Sequence, residues 1–188
     1  MSSGRLVVVS APSGAGKTTI AHAVLAAHPM LEFSVSATTR KMRSGESEGR
    51  DYYFLTREEF ERRVNAGEFV EWEIIYGNYY GTLKQEVDRK LRAGRQILFD
   101  VDVKGGLSIR RVYPEALLVF LCPPSLKVLE ERLRARKTED PAGLQVRLER
   151  VPMEMELGGT FGVQIVNDDL QRAIAEVNTI VDAYLQQK

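Results

Sequence analysis

The chain has 188 residues, 44% of them hydrophobic and 28% charged, with 26 Lys and Arg balanced by 26 Asp and Glu. That apolar content supports one α/β domain with a full core and excludes a disordered chain. A net charge of zero lacks the basic excess of a general nucleic-acid binder. The single cysteine, Cys122, excludes an intrachain disulfide, and no apolar run approaches the ~20 residues that span a bilayer. The apolar part of the N-terminal segment is too short for a secretory signal. A cytoplasmic protein without nucleic-acid or membrane partners is expected.

In chain order, RLVVVS at 5–10 is a β-branched run, as in a strand buried on both faces. A Gly-rich turn and a helix over 17–27 follow, and Pro29 ends the helix. FSVSAT at 33–38 predicts a second strand, residues 40–51 a polar loop, and YYFL at 52–55 a short strand. TREEFERRVNAG at 56–67 carries a Thr cap and a Gly stop. FVEWEII at 69–75 alternates like a half-exposed strand, GNYYG at 77–81 reads as a turn, and a helix is expected over 82–93. Buried strands are predicted at 96–102 and 116–122, and a short one at 163–166. Helices are predicted at 125–136, 142–157 and 168–186. Alternating strands and helices imply a parallel sheet covered on both faces, with a small antiparallel insert in the middle. His22 and His28 are expected at the surface, and Cys122 as an inert buried thiol.

The strongest local signal is APSGAGKTT at 11–19, between a buried strand and a helix. That context is the one a P-loop requires. Small residues let backbone N–H groups turn toward phosphate oxygens, so Pro12, Ser13, Gly14, Ala15, Gly16 and Thr19 are candidate ATP contacts. Lys17 brings a positive charge to the β- and γ-phosphates, and Thr18 offers a hydroxyl to Mg²⁺. Ala11 stands where the pattern has its first glycine, which is tolerable if φ there is negative. Asp100, at the end of the buried run ILFD, would sit at the mouth of the sheet and hold Mg²⁺ through water. No Asn-Lys-x-Asp motif follows, which argues against a GTPase.

The remaining motifs are individually weak. They are SATTRKMRSGESEGRDY at 36–52, FVEW at 69–72, GNYYGT at 77–82, DVDVKG at 100–105, RLRARKTED at 132–140, a basic position at Arg147, and VNDDL at 166–170. As an ordered set they resemble guanylate kinase over roughly residues 5–185. The resemblance implies a P-loop nucleoside monophosphate kinase fold. Its core would be about 1–33, 94–125 and 158–188, its GMP-binding insert about 34–93, and its lid about 126–157. It implies transfer of the γ-phosphoryl group of ATP to GMP, and to dGMP, with Mg²⁺ and with no obligate protein partner.

The resemblance also implies residue roles. Arg40 and Arg43, with Tyr52 and Tyr80, would hold the acceptor phosphate, a task that suits guanidinium forks and phenols. Glu71 would accept from guanine N1–H and N2–H₂, Ser36 and Thr82 would serve O6, and Asp102 would lie near the amino group. Arg132, Arg136 and Arg147 would neutralise the ATP side, and Asn167 would touch adenine. Met42, Lys104, Lys137 and Pro152 depart from the family pattern, Pro152 by interrupting a continuous helix. These departures bear on loop stiffness and lid motion more than on ligand atoms. The alternatives are an inactive peptide-binding module of the same fold and a related kinase with another small phosphorylated acceptor. An intact Gly14, Gly16, Lys17 and Thr18 argues against the first, and Glu71 with Ser36 against the second.

Overall fold

The computed structural model describes residues 4–75, 77–135 and 141–187. Five strands form a parallel sheet: β1 (Leu6–Ser10), β2 (Leu31–Phe33), β7 (Gln96–Asp100), β8 (Leu117–Cys122) and β9 (Val163–Val166). Their spatial order is β2-β7-β1-β8-β9. The β-branched and aliphatic runs divide between two cores because successive side chains point to opposite faces. On one face Val7, Val9, Leu98, Val119 and Leu121 pack against α1 (Lys17–Ala27), α5 (Leu126–Ala135) and α7 (Leu170–Gln186). On the other, Leu6, Val8, Ile97, Phe99, Leu118 and Phe120 meet α3 (Lys84–Arg92) and α4 (Val103–Val112).

A second, mixed sheet has the order β4-β3-β6-β5. Its strands are β3 (Ala37–Thr38), β4 (Tyr53–Phe54), β5 (Phe69–Ile75) and β6 (Asn78–Leu83), and α2 (Arg57–Asn65) covers it. Phe60 of α2 stacks on Phe69 with centroids 4.3 Å apart, and Thr56 caps the helix by accepting from Glu59 N at 3.1 Å. α6 (Pro141–Gly158) packs against α4 and α5. Among the described residues, no helix is long and apolar enough to cross a membrane.

Four local readings are corrected. The single strand expected at 33–38 is two strands in different sheets: β2 follows β7 until Ser34 N donates to Leu98 O, and β3 turns to β4 and β6. GNYYG is not a turn but most of β6, which pairs with β5. Gly81 permits that close pairing, since a Cβ there would lie 2.7 Å from Glu71 O. α4 has no counterpart among the expected helices because Gly105 and Gly106 depress helix propensity. Gly106 is needed there: a Cβ would sit 2.7 Å from the Phe161 ring. His28 is buried, not superficial, with Nδ1 2.9 Å from Val24 O and Nε2 3.0 Å from Asp182 Oδ1. His22 is exposed as expected, and Cys122 is only partly buried, enough to push its thiol up.

Pro152 does not interrupt α6, which continues through it to Gly158. Proline inside a helix removes an N–H bond and crowds the carbonyl four residues back. Pro152→Ala is therefore expected to raise unfolding stability by about 1–3 kcal/mol. A urea titration with an unchanged midpoint would show that the helix has already absorbed the proline.

Candidate active site

The turn between β1 and α1 is shaped by two glycines with positive φ, Gly14 at 89° and Gly16 at 94°. Their neighbours leave no room for side chains. A Cβ on Gly14 would meet Leu133 at 2.8 Å, and one on Gly16 would meet Asn167 Nδ2 at 2.5 Å. Ala11 carries its methyl into the core and is 5% exposed, so the departure at that position is absorbed by packing. Asn167, expected at adenine, is buried beneath the turn, where Nδ2 donates to Ala15 O at 2.7 Å and the backbone N donates to Cys122 O. Its Oδ1 has no hydrogen-bond partner. Asn167 is thus a strut of the phosphate turn.

Lys17 and Thr18 open α1 and converge on Asp100 at the end of β7. Lys17 Nζ lies 2.5 Å from Asp100 Oδ1, and Thr18 Oγ1 donates to Asp100 Oδ2 at 3.0 Å. Both contacts follow from the parallel pairing of β1 with β7, which brings Val9 opposite Asp100. From α6 and α5, Arg147 Nη1 donates to Ser13 Oγ, and Arg132 Nη2 donates to Asn167 O at 3.0 Å. Arg136 and Lys137 lie outside the described residues. Pro12 is buried and Thr19 exposed.

A cavity of about 590 Å³ opens over this turn. The P-loop side supplies Ser13, Lys17 and Thr18; β5 supplies Glu73, the head of α4 supplies Asp102, and α6 supplies Arg147, Arg150 and Glu154. Asp102 also caps α4, its Oδ1 accepting from Gly105 N at 2.8 Å.

Behind the cavity, the β5–β6 register sets Glu71 opposite Thr82. The Thr82 hydroxyl donates to Glu71 Oε1 at 2.7 Å, so this hydroxyl orients the carboxylate. A Cβ on Gly105 would lie 3.3 Å from Asp102 Oδ1 and 3.4 Å from Glu71 Oε2, so the two carboxylates close on one backbone position. Ser36 is half-buried beside β3, its carbonyl accepting from Tyr53 N.

Farther along the insert, Arg40 makes two hydrogen bonds to Glu46, at 2.7 and 3.1 Å. Its guanidinium lies 5.2 Å from the Tyr52 ring centroid, and Tyr52 meets Tyr80 edge to face. The Glu46 hydrogen bond raises the Arg40 pKa, and Arg40 with the Arg43 N–H lowers that of Glu46. The Arg43 side chain is exposed, and only its backbone N–H joins this group, at 2.7 Å from Glu46 Oε2.

Burial pushes the Glu71 carboxyl up to about 7, with the charges of Glu73 and Asp102 adding and the Thr82 hydroxyl opposing. The raised value favours the neutral acid in the folded state. The group's contribution to stability is therefore greatest below its ordinary 4.5 and is lost as pH rises through about 7. In the base-reading role that the resemblance implies, binding would have the opposite sign, because only a carboxylate accepts from two guanine donors. Affinity for GMP is expected to rise up to about tenfold from pH 6 to 8. The acceptor phosphate also titrates near pH ~6, so the measurement is the difference between wild type and Glu71→Gln. Parallel pH profiles of the two would reject the assignment.

Three charged cavity residues lie beyond the expected set: Glu73, Arg150 and Glu154. Glu73 was signalled by strand alternation from Glu71, and the other two by helical spacing from Arg147.

The family model for guanylate kinase matches residues 3–184. A guanylate kinase of Chlorobaculum tepidum is 50% identical over 185 residues, covering 98% of this chain and 95% of that protein. One of Chlorobium chlorochromatii is 51% identical over 180 residues, covering 95% of each. The crystal structure of guanylate kinase from Anaplasma phagocytophilum matches with a TM-score of 0.74 at 30% identity, covering all of this chain and 89% of that one. An α/β core with a P-loop on its first strand and likeness of this extent lead to one conclusion: the chain belongs to the guanylate kinase family.

Proposed function

We propose that the chain transfers the γ-phosphoryl group of ATP to GMP, and to dGMP, within the cavity between the P-loop and β5. The observation that carries this reading is the convergence of Glu71, held by Thr82, with Asp102, which lines the same cavity as Lys17. A paired carboxylate of this kind accepts from guanine N1–H and N2–H₂, whereas adenine N1 would turn a lone pair on it.

In the step, the bond from γ-phosphorus to the β–γ bridging oxygen breaks, and its electron pair leaves with ADP. A bond forms from an anionic oxygen of GMP. No proton has to move for that oxygen to attack, so the protein's work is positioning and charge stabilisation. Lys17, Arg132 and Arg147 neutralise the ATP side, Arg136 being the further arginine implied there. Arg40 and Arg43, with Tyr52 and Tyr80, hold the acceptor phosphate, with Arg40 leaving Glu46 to do so.

The donor set at Thr18 and Asp100, two hard oxygens at the mouth of the sheet, fits Mg²⁺, which takes few protein ligands and completes its shell with phosphate oxygens and water. When bound there, Mg²⁺ supplies charge to the phosphates. The span 126–157 acts as a lid whose closure excludes water.

The test is ATP consumption with GMP, AMP, CMP, UMP and dTMP as acceptors. GMP is expected to be used fastest. Faster turnover of any of the others would overturn the guanine assignment.

A further inference from the structure

Arg147 and Arg150 stand three positions apart on α6, so they rise from neighbouring turns on one side of the helix. Both line the cavity, together with Glu154 one turn farther on. Among the described residues the charged lining is balanced: Lys17, Arg147 and Arg150 against Glu73, Asp102 and Glu154. Two nucleotides bring several negative charges into that balance, and a loosely held cation of the lining gains a partner from their arrival.

That cation is Arg150. Its Nη2 donates to Asp102 Oδ2 at 3.3 Å, and its Nε lies 3.5 Å from Glu154 Oε1. Both contacts are long, and the Arg150 side chain is 46% exposed. An ion pair this long and this exposed is weak and exchanges readily. Phosphate oxygens offer a guanidinium a better, two-pronged partner. Asp102 Oδ2 is also the oxygen left over once Oδ1 has capped α4. It is the atom available to a purine amino group, and a ligand that takes it releases Arg150. Glu154 is a poor alternative anchor: it is buried, its Oε2 has no hydrogen-bond partner, and burial pushes its carboxyl up.

We propose that Arg150 is a further phosphate-neutralising arginine of the lid helix, parked on Asp102 and Glu154 in the free enzyme and handed to the phosphoryl oxygens when the acceptor base engages Asp102. This couples acceptor binding to charge delivery on the ATP side. The inference rests on the reading of the cavity as the site of phosphoryl transfer.

The test compares wild type, Arg150→Ala and Arg150→Lys, using whichever nucleoside monophosphate the wild type phosphorylates fastest. Arg150→Ala is expected to lower kcat at least about tenfold, with KM for ATP changed less than about threefold and the melting temperature nearly unchanged. Arg150→Lys keeps the charge and should fall between the two. A kcat within about twofold of wild type for Arg150→Ala would overturn the proposal. So would a rise in acceptor KM with kcat intact, which would assign Arg150 to holding Asp102 alone. A wild-type preference for another monophosphate would sink the guanine reading, while the ratio of kcat values would still report on Arg150.

Discussion

Lys17→Ala is expected to lower kcat for phosphoryl transfer by at least about a hundredfold, the loss that follows removal of one preorganised charge from a transition state. Lys17 is the first residue of α1 and reaches the mouth of the sheet, where its ammonium meets Asp100 at 2.5 Å. In the liganded enzyme the same ammonium would move to the β- and γ-phosphates. The fold should survive. The Lys17 side chain is a quarter exposed, its stem is not part of either core cluster, and Asp100 keeps its hydrogen bond from Thr18. A native circular-dichroism spectrum with lost turnover is the expected pair of results. A folded variant with turnover within about threefold of wild type would remove Lys17 from the chemistry.

Glu71→Gln should damage acceptor recognition selectively. Thr82 donates to Oε1, so the amide oxygen of a glutamine would be drawn to that hydroxyl. Its NH₂ would then face the guanine donors from the position of Oε2. A donor against a donor leaves both unpaired, at about 1–3 kcal/mol for each buried group. Sites built around hydrogen bonds reject such mismatches strongly. Efficiency with GMP is therefore expected to fall at least about tenfold, or 1.36 kcal/mol. ATP affinity should hold, because Glu71 lies on the β5–β6 hairpin, where its carboxylate is held by Thr82, and not on the P-loop turn. The measurement varies GMP at saturating ATP, beside direct calorimetry of ATP. A loss in GMP efficiency below about threefold would show that Glu71 does not read the base.

The P-loop turn between β1 and α1 was legible in the sequence because it is local. Its chemistry needs Gly14, Gly16, Lys17 and Thr18 at fixed spacing between one strand and the helix that follows, and nothing distant changes that. The buried strands were legible for a related reason: a parallel sheet covered on both faces demands unbroken apolar runs such as VVV and ILF. The acceptor side was not legible in the same way. GNYYG has turn composition, and it becomes strand β6 only because FVEWEII lies beside it and Gly81 lets the two backbones approach. Alternation places Glu71 and Glu73 on one face of β5, but which face looks inward depends on α4, a helix whose Gly105–Gly106 pair hides it from propensity. Helical spacing likewise puts Arg147, Arg150 and Glu154 on one side of α6, and only the packing of that helix over the P-loop turns the side into a cavity wall. His28 was misplaced for the same reason, since its partner Asp182 is 154 positions away. Short-range chemistry is written in residue spacing, whereas burial and charge pairing depend on contacts between distant segments, which no local pattern encodes.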